Sequence, residues 1–407
     1  MRVALIFHHF GPYHCVRLEA ASRHCEAIGI EVAAETPEYA WSAVRDATED
    51  SLVTLFASGD TRAKSGKAIS ERVENALEKC RPDAVAIPGW SDNAAIAALR
   101  WCMKNGVPAI LMSESTAFDS ARVQWREYIK RRIVDLCSTA LVGGQRHIDY
   151  LVELGMPGER IFTGYDVVDN HYFARRALEI RNSKFEIRKE YGLPENYFLA
   201  SARFIEKKNL VCLIRAYARY RKLAVVRDDR QRTTDKRPWD LVLLGDGPLR
   251  ETLNSQLSTL NLHGHVHLPG FRQYNELPVY YGLAKAFVHA STTEQWGLVV
   301  NEAIASGLPV IVSGRCGCVP EVVQDNGVIF DPTNEHELAS RFVEMATLSD
   351  DDREHLGDMS RTIAAQLEPE CFGEGLADAG TMAIKLTRKK LRQFDRALLF
   401  AAMRFRG

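Results

Sequence analysis

Short apolar runs alternate with longer amphipathic stretches along the first half of the chain. The runs have strand length, and the stretches between them, such as Ile69–Lys79 and Gln124–Leu136, carry apolar residues at helical spacing. Continuous apolar strands separated by helices are typical of a parallel sheet covered on both faces, so we predict a doubly wound α/β domain. Its predicted strands are Val3–Phe7, Ile30–Ala34, Leu52–Phe56, Ala84–Ile87, Ala109–Met112 and Ala140–Val142.

A second alternating series begins at Tyr197, after the polar segment 171–195, which we interpret as a linker. We therefore predict two Rossmann-like domains, over 1–170 and 196–384, with the active site in the cleft between them. The charged run Arg227–Arg237 is interpreted as a solvated loop insertion. The predicted strands of the second domain are Tyr197–Ala202, Leu241–Leu244, Val266–Leu268, Ala286–His289, Val310–Val312 and Val328–Phe330.

Composition narrows the possible classes of protein. Among 407 residues, 52 Lys and Arg nearly balance 53 Asp and Glu, which excludes a globally basic nucleic-acid binder and an acidic disordered chain. The nine cysteines form no disulfide framework, so we expect a reducing cytoplasm. No apolar run approaches the length of a membrane span, and the apolar N-terminal run is too short for a signal peptide.

Two glutamates flank a strand-to-helix junction in the second domain. Glu294 lies in the loop after a predicted strand, and Glu302 lies in the first turns of the helix that follows the turn at Gly297. Both carboxylates can face the same cleft at different depths. The N-terminus of that helix also offers free backbone N–H groups to an anionic ligand.

Two cations, Arg203 and Lys208, follow the first strand of the second domain. Two cations at a strand end beside a helix N-terminus can clamp a diphosphate, although a surface charge pair with Glu206 explains these residues equally well. The turn that contains Gly245 and Gly247 permits close backbone approach, and it either lines a nucleotide pocket or simply joins a strand to a helix.

Together these segments resemble glycosyltransferase family 4, a large group of retaining enzymes with the GT-B fold of two Rossmann-like domains. The resemblance rests on four motifs in the family's order: Arg203 to Lys208, the GDGPL turn, Leu268–Ser291, and Glu294 to Glu302. It covers the second domain well and the first more loosely.

The resemblance implies a role for each matched position. Arg203 and Lys208 would neutralise the diphosphate of a nucleotide sugar, Glu294 would contact the donor sugar, and Glu302 would bind the ribose hydroxyls. These roles agree with the chemistry, because preorganised cations stabilise the negative charge that gathers on a leaving diphosphate. Backbone groups expected to contact the donor lie at Gly245, Gly247, Gly270, Gly297, Leu298 and Val299.

In the first domain the resemblance implies a cleft-facing loop after the first strand, which contains Gly11 and His14 and leads to Arg17. This loop would help to bind donor phosphate and acceptor; the alternative is a polar turn with capping histidines. Glu114 stands where many family members carry a histidine. It either orients the acceptor hydroxyl or serves as a structural carboxylate.

The resemblance also implies no metal and no cofactor, because protein cations replace Mg²⁺, and we expect a UDP- or GDP-linked donor. Asp350 and Asp352 are interpreted as a solvated, helix-capping cluster. The family is described by front-face attack, in which the leaving phosphate oxygen helps to deprotonate the acceptor. No single carboxylate is therefore expected to form a trapped glycosyl adduct.

Basic charge concentrates at the end of the chain, where the last 23 residues contain eight Lys or Arg and one Asp. We predict a C-terminal helix over about 385–407 that starts by packing on the first domain, as in this fold, and whose end is free or touches a membrane. Arg122–Arg132 is a second basic amphipathic stretch. Lipid-linked acceptors would explain both stretches, and a solvated helix face would explain either alone. The expected location is the cytoplasm, and the alternative is peripheral binding to the inner face of the membrane.

The leading hypothesis is a metal-independent, retaining glycosyltransferase that uses a nucleoside-diphosphate sugar and a glycan, glycolipid or small-molecule acceptor. The alternatives are a GT-B-fold epimerase or phosphorylase, or a non-catalytic nucleotide-sugar-binding homologue. A phosphorylase would need a lysine for pyridoxal phosphate, and the sequence identifies none. The complete set of Arg203, Lys208, Glu294 and Glu302 argues against a non-catalytic role.

Overall fold

The computed structural model describes residues 1–34, 51–57, 65–231, 237–386 and 395. The chain divides into two compact units: unit 1 is Met1–Val168 with the chain from Glu368 onward, and unit 2 is Asp169–Leu367. The second boundary therefore lies well before the predicted one at 384.

Within the described residues, unit 1 contains a seven-stranded parallel sheet in the order β3-β2-β1-β4-β5-β6-β7. Its strands are β1 (Arg2–Phe7), β2 (Glu26–Ala33), β3 (Leu52–Phe56), β4 (Ala84–Pro88), β5 (Ala109–Ser113), β6 (Thr139–Val142) and β7 (Ile161–Thr163). Its helices are α1 (Pro12–His24), α2 (Gly66–Cys80), α3 (Asn93–Asn105), α4 (Gln124–Leu136), α5 (Gln145–Glu153) and, from the far end of the chain, α15 (Pro369–Lys385).

The continuous apolar pattern of the strands has a physical cause. Residues 3–7 of β1 and all of β5 are buried, because helices cover both faces of the sheet. All six predicted strands are confirmed, and β7 is the strand that the sequence analysis missed. Its three residues are too few to show a periodic pattern of hydrophobic positions, and only Ile161 is buried.

Unit 2 contains a six-stranded parallel sheet among its described residues, in the order β10-β9-β8-β11-β12-β13. Its strands are β8 (Tyr197–Ser201), β9 (Asp240–Leu244), β10 (Val266–Gly270), β11 (Ala286–His289), β12 (Val310–Ser313) and β13 (Gly327–Phe330), which confirms all six predicted strands. Its helices are α6 (Asn170–Asn182), α7 (Lys184–Tyr191), α8 (Leu210–Gln231), α9 (Arg250–Thr259), α10 (Leu277–Leu283), α11 (Leu298–Ala305), α12 (Val319–Val322), α13 (Glu335–Thr347) and α14 (Asp350–Ala364).

The predicted linker 171–195 is instead helical and belongs to unit 2 as α6 and α7. Phe173, Ala177 and Ile180 form a narrow apolar stripe in α6 and are buried. The rest of the segment is polar, so the helical pattern was not recognised in the sequence. The predicted loop insertion Arg227–Arg237 is also partly wrong, because α8 continues to Gln231. Residues 232–236 lie outside the described residues.

A helix that precedes the predicted one over 385–407 already returns to unit 1, namely α15. Within the predicted segment, Asp395 is buried and its carboxylate pairs with Arg132 of α4. Phe372, Leu376 and Ala379 of α15 are buried in the core of unit 1. At Gly373 the helix passes so close to α1 that a Cβ atom would lie 2.6 Å from the Ala20 carbonyl oxygen. Most of the predicted C-terminal helix, with its membrane contact, lies outside the described residues. None of the helices in the described part of the chain is long and apolar enough to cross a membrane.

Candidate functional site

The strand order of unit 2 reverses between β8 and β11, which are neighbours in the sheet. In open α/β sheets, ligands bind beyond the carboxyl ends of the strands at such a reversal. The loop after β8 carries Arg203 and Lys208, and the loop after β11 carries Glu294. The fold therefore places three of the predicted site residues at the position where a ligand is expected.

Lys208 and Glu294 form a direct ion pair between these two loops. Lys208 Nζ binds Glu294 Oε2, and the two side chains are only 13% and 12% exposed. Lys207 Nζ lies 3.7 Å from the other carboxylate oxygen but is 38% exposed. The loops are also joined through the backbone, since Thr292 N donates to the Lys207 carbonyl oxygen at 2.9 Å. The pair is consequently held by fixed backbone as well as by charge.

A histidine and a serine complete the surroundings of Glu294. His289 Nε2 lies 3.4 Å from Glu294 Oε2, and Ser291 Oγ lies 3.3 Å from the same oxygen. Burial acts to raise the pKa of Glu294, but the His289 hydrogen bond and the Lys208 charge outweigh it, so the pKa falls well below its usual range. Burial in turn lowers the pKa of His289. Glu294 is thus a fixed carboxylate, ready to accept hydrogen bonds.

Sequence reasoning missed His289 and Ser291. The available signal was their position, because both lie within five residues before Glu294 at the end of a strand whose loop was already assigned to the site.

The loop that contains Glu294 is also anchored to the loop after β12. Glu294 N donates to the Arg315 carbonyl oxygen at 3.2 Å, and Gly317 N donates to the Glu294 carbonyl oxygen at 3.0 Å. Gly297, at φ +113°, turns the chain into α11. Leu298 and Val299 form the partly exposed first turn of that helix, which brings its N-terminal N–H groups to the same edge of the sheet.

Glu302 is in a different environment from Glu294. It lies further along α11, its side chain is completely buried, and the Tyr281 hydroxyl donates to its Oε2 at 2.6 Å. The structure therefore encloses one glutamate of the motif and leaves the other partly open.

Gly245 and Gly247 are required by chain packing. They have φ values of +121° and +151°, and Cβ atoms there would lie 1.9 Å from the Ala202 carbonyl oxygen and 2.8 Å from that of Phe204. Phe204 N also donates to the Asp246 carbonyl oxygen at 2.8 Å. The turn thus supports the loop on which Arg203 is exposed.

Gly270 ends β10 at φ +91°, with no atom within 4 Å of an added Cβ, so the space beside it is open. The open space leaves room for the predicted backbone contact to a nucleobase. Gly245 and Gly247 differ, because chain packing alone explains why these positions are glycine.

Unit 1 has a corresponding reversal of strand order between β1 and β4. The loops after these strands meet where His8 Nδ1 lies 3.0 Å from Asp92 Oδ2. Gly11 is the N-cap of α1. The His14 ring lies 4.3 Å from that of Phe7, and burial, followed by the charge of Arg17, lowers the pKa of His14 well below its usual value.

Arg17 and Asp166 form an enclosed charge pair in unit 1, next to the partly exposed Glu114. Arg17 is 1% exposed, its Nη2 lies 3.6 Å from Asp166 Oδ1, and its guanidinium lies 4.7 Å from the centre of the Tyr165 ring. Burial, and then the negative charge of Glu114, raise the pKa of Asp166 well above its usual value. The charge of Arg17 opposes this rise, because a nearby cation favours the ionised form of Asp166.

A further buried carboxylate, Glu31, shapes the loop after β1. It accepts hydrogen bonds from Phe10 N at 2.9 Å and from Thr54 Oγ1 at 3.0 Å, and His9 Nδ1 lies 3.4 Å away. Sequence analysis missed Glu31 because a glutamate inside a strand is normally solvated, and no local signal distinguishes this one.

Among the described residues, no group of three or more His, Cys, Asp or Glu side chains is placed to hold a metal ion. Asp352 N donates to Ser349 Oγ at 3.0 Å at the start of α14, as expected for a helix-capping cluster.

Known structures share this arrangement of two Rossmann-like units. The structure of HepE from Anabaena, solved with UDP and glucose, superimposes with a TM-score of 0.69 over 93% of this chain and 98% of that chain, at 17% identity. Sucrose-phosphate synthase from Thermosynechococcus elongatus gives a TM-score of 0.70 over 93% and 97%, also at 17% identity. The predicted GT-B fold is confirmed.

Sequence comparison then gives a family similarity for part of the chain. Residues 183–362 match the family model described as "Glycosyl transferases group 1". This segment contains the Lys208–Glu294 pair, and its similarity to that family agrees with the motifs found in the sequence.

Two curated relatives match over parts of the chain. Alpha-monoglucosyldiacylglycerol synthase from Streptococcus pneumoniae is 30% identical over 187 residues, which cover 45% of this chain and 39% of the relative. A GDP-mannose-dependent alpha-(1-6)-phosphatidylinositol monomannoside mannosyltransferase from Mycobacterium tuberculosis is 35% identical over 122 residues, which cover 28% of this chain and 31% of the relative. The matched segments thus span less than half the length of these curated relatives.

Proposed function

We propose that the protein is a glycosyltransferase that moves a hexosyl group from a nucleoside-diphosphate sugar to a hydroxyl group of its acceptor. The main observation behind the proposal is the largely buried Lys208–Glu294 pair at the strand reversal of unit 2. It joins a cation for phosphate to a carboxylate for sugar hydroxyls within one anchored cluster, inside the segment that matches the family.

Each side chain of this cluster has a proposed task. Arg203 and Lys208 bind the diphosphate and stabilise the charge that develops as it leaves, together with the N-terminal N–H groups of α11. Glu294, held ionised by Lys208 and His289, accepts hydrogen bonds from the donor sugar. Glu302 binds the ribose hydroxyls, and Tyr281 fixes the position of its carboxylate.

The proposed donor carries UDP or GDP. Two observations on similar proteins support this: HepE was solved with UDP and glucose, and the mycobacterial relative is named as GDP-mannose-dependent. No metal is required in the proposed scheme, because Arg203 and Lys208 supply the positive charge at the diphosphate.

We propose transfer with retention of configuration by front-face attack. Glu294, the carboxylate closest to the proposed sugar position, is engaged by Lys208 and is therefore poorly suited to act as a nucleophile. Mass spectrometry of Glu294→Gln and Glu114→Gln enzymes incubated with donor is expected to show no glycosylated protein. A stable adduct on either variant would replace this mechanism with a double displacement.

The proposed acceptor is a glycan, glycolipid or small molecule bound by unit 1, with Glu114 or a histidine of the loop after β1 near its hydroxyl. A lipid-linked acceptor is supported by two observations. The names of both relatives contain a lipid, and α4 exposes 61% of Trp125 and 52% of Tyr128 beside Arg126. Aromatic side chains next to cations are typical of surfaces that contact lipid headgroups.

Binding of free nucleotides tests the donor site directly. UDP, GDP, ADP and dTDP are compared by thermal shift, and one uridine or guanosine diphosphate is expected to raise the melting temperature most. Arg203→Ala and Lys208→Ala should remove this shift, while Lys222→Ala, an exposed change on α8, should retain it. Unchanged nucleotide affinity in the first two variants would refute the clamp.

Catalysis is then measured as donor hydrolysis and as transfer to candidate acceptors. Nucleotide binding without any turnover across donors and acceptors would favour a non-catalytic homologue.

A further inference from the structure

Unit 2 contains a large groove at the end of its sheet opposite to the Lys208–Glu294 pair. An open groove of about 1540 Å³ lies between α6, α7 and the segments that lead into β8, β11 and β12. Asn196, Lys285 and Pro309 line it, and each directly precedes a strand. The groove therefore lies at the amino ends of the strands, whereas Lys208 and Glu294 lie beyond the carboxyl ends. We call it the basic groove.

The lining of the basic groove carries a large excess of positive charge. Eight lysine and arginine residues line it, against three carboxylates. Within the described part of the chain, neither Lys184, Arg188 nor Lys285 has a carboxylate oxygen within 4.0 Å, and the same holds for Arg181. These four cations therefore have no direct ion pair there, although the negative charges of Asp350 and Glu354 act on Lys285 and Arg181, respectively.

Two of these cations, Arg181 and Lys285, are also partly withdrawn from water. Burial, and then the charge of Arg361, lower the pKa of Arg181. Burial lowers the pKa of Lys285 as well; Asp350 opposes this shift, and Arg353 and Arg188 add to it. Like charges gathered in a partly desolvated groove repel one another, and a bound anion would relieve that repulsion.

Helix capping explains only two of these cations. Arg181 donates to the carbonyl oxygens of Gly282 at 3.1 Å and Ser306 at 2.6 Å, and Arg188 donates to that of Leu283 at 3.3 Å. These carbonyls end α10 and α11, so the two arginines satisfy helix C-termini. Lys184 and Lys285 have no such partner among the described residues, and their presence needs another reason.

Two buried donors in the lining have no hydrogen-bond partner in the described part of the chain. They are Ser306 Oγ, in a residue that is 1% exposed, and Arg188 Nε. Buried polar atoms are normally satisfied, so an unpartnered pair in the wall of a cationic groove indicates a place for an acceptor-rich ligand.

The rim of the basic groove is apolar. Leu178 of α6 is 59% exposed and Phe185 of α7 is 78% exposed, and both belong to the lining. Large exposed apolar side chains beside surplus cations fit a ligand with both an anionic and an apolar portion.

We propose that the basic groove is a second anion site, which binds a ligand that carries a phosphate group next to an apolar portion. Lys184, Lys285 and Arg188 neutralise the phosphate, Ser306 Oγ donates to one of its oxygens, and Leu178 and Phe185 cover the apolar portion. The site is separate from the donor site, so it does not depend on the proposed function.

Two probes separate the sources of such a ligand. Phenyl phosphate represents a soluble phosphate ester, and phosphatidylcholine vesicles that contain phosphatidic acid represent a lipid headgroup. Binding is measured by calorimetry for the first and by co-sedimentation for the second, at low and high salt. Both are measured in the Lys208→Ala background, so that the donor site does not contribute.

The test variant is Lys184→Gln/Lys285→Gln, and Lys222→Gln is the matched control on an exposed face of α8. Each cation removed from the groove should weaken binding about tenfold, because charge-assisted hydrogen bonds to phosphate are lost. The control should bind as the parent does. Lys184→Gln alone changes an exposed residue and shows the single-charge effect without a risk to folding.

Loss of phenyl phosphate binding in the double variant supports a soluble ligand. Loss of vesicle binding, with no binding of phenyl phosphate to any form, supports a lipid ligand. Equal binding of both probes to the double variant and its control, or no binding of either probe to the parent, overturns the proposal.

Discussion

The two units present similar sheets but build different polar clusters at the carboxyl ends of their strands. In unit 2, Lys208 and Glu294 meet in a cluster that remains partly exposed, on loops joined by backbone hydrogen bonds. In unit 1, Arg17 and Asp166 are enclosed and lie within 3.6 Å of each other. One cluster is therefore prepared for an external charged ligand, and the other satisfies its charge internally.

This difference teaches that position at a strand reversal does not by itself identify a binding residue. Arg17 and Lys208 were both predicted as site residues, because each lies shortly after the first strand of its unit, Arg17 within the next helix and Lys208 just before it. Only Lys208 retains access to solvent, so we expect changes in unit 2 to reduce catalysis and changes to Arg17 to reduce stability first.

The largest expected effect is that of Arg17→Met on stability. It leaves the Asp166 carboxyl buried without its cation, which should lower the free energy of unfolding by about 3–5 kcal/mol. Urea unfolding measures the change. Arg23→Met in the same helix removes a half-exposed ion pair with Glu370 and should cost below about 1 kcal/mol. Similar losses in the two variants would show that the unit 1 cluster is not enclosed as described.

The next effect concerns catalysis in unit 2. Lys208→Ala removes a fixed cation from the leaving diphosphate and should lower kcat about 10²–10³-fold. Lys207→Ala is the matched control, because its Nζ lies 3.7 Å from the same carboxylate but its side chain is 38% exposed. We expect the control to change kcat less than about threefold. Equal effects of the two lysines on kcat would remove the distinction between the paired and the solvated cation.

The smallest effect, counted per pH unit, is a pH dependence that belongs to unit 1. The pKa of Asp166 is raised above its unfolded value of about 3.9, so the folded state retains a proton that the unfolded chain has released. The stability that this proton contributes is complete below about pH 3.9 and is lost as pH rises through the raised pKa. Over that interval the loss should be about 1.4 kcal/mol per pH unit.

Asp166→Asn removes this titration. Relative to wild type, the variant should gain stability as pH increases, which urea midpoints measured from pH 4 to pH 8 will show. Asp83→Asn, at an exposed position of the same unit, provides the control. Its urea midpoints should vary with pH in parallel with those of the wild type. Parallel profiles for Asp166→Asn as well would mean that its pKa is not raised.

The strands and the positions of the candidate site residues of unit 2 were predictable from sequence for a common reason. All predicted strands are confirmed, because a buried parallel strand must be apolar along its whole length, and that signal is local. Lys208, Gly297 and Glu294 follow such strands directly, so their position at the sheet edge was implied by order along the chain.

Segments whose signal is not local were predicted wrongly or missed. The region 171–195 looked like a linker because few residues of α6 and none of α7 are buried. The sequence analysis missed that α15 returns to unit 1, since an apolar face reveals a helix but not the domain against which it packs.

The sequence by itself determined two doubly wound units and the order of the candidate site residues, because both depend on short-range pattern. The tertiary structure decided which charges meet. It enclosed Arg17 with Asp166, buried Glu302 beneath Tyr281, paired Lys208 with Glu294, and gathered the unbalanced lysines of the basic groove. Burial and charge balance depend on residues that are distant along the chain, and only folding brings them within reach of one another.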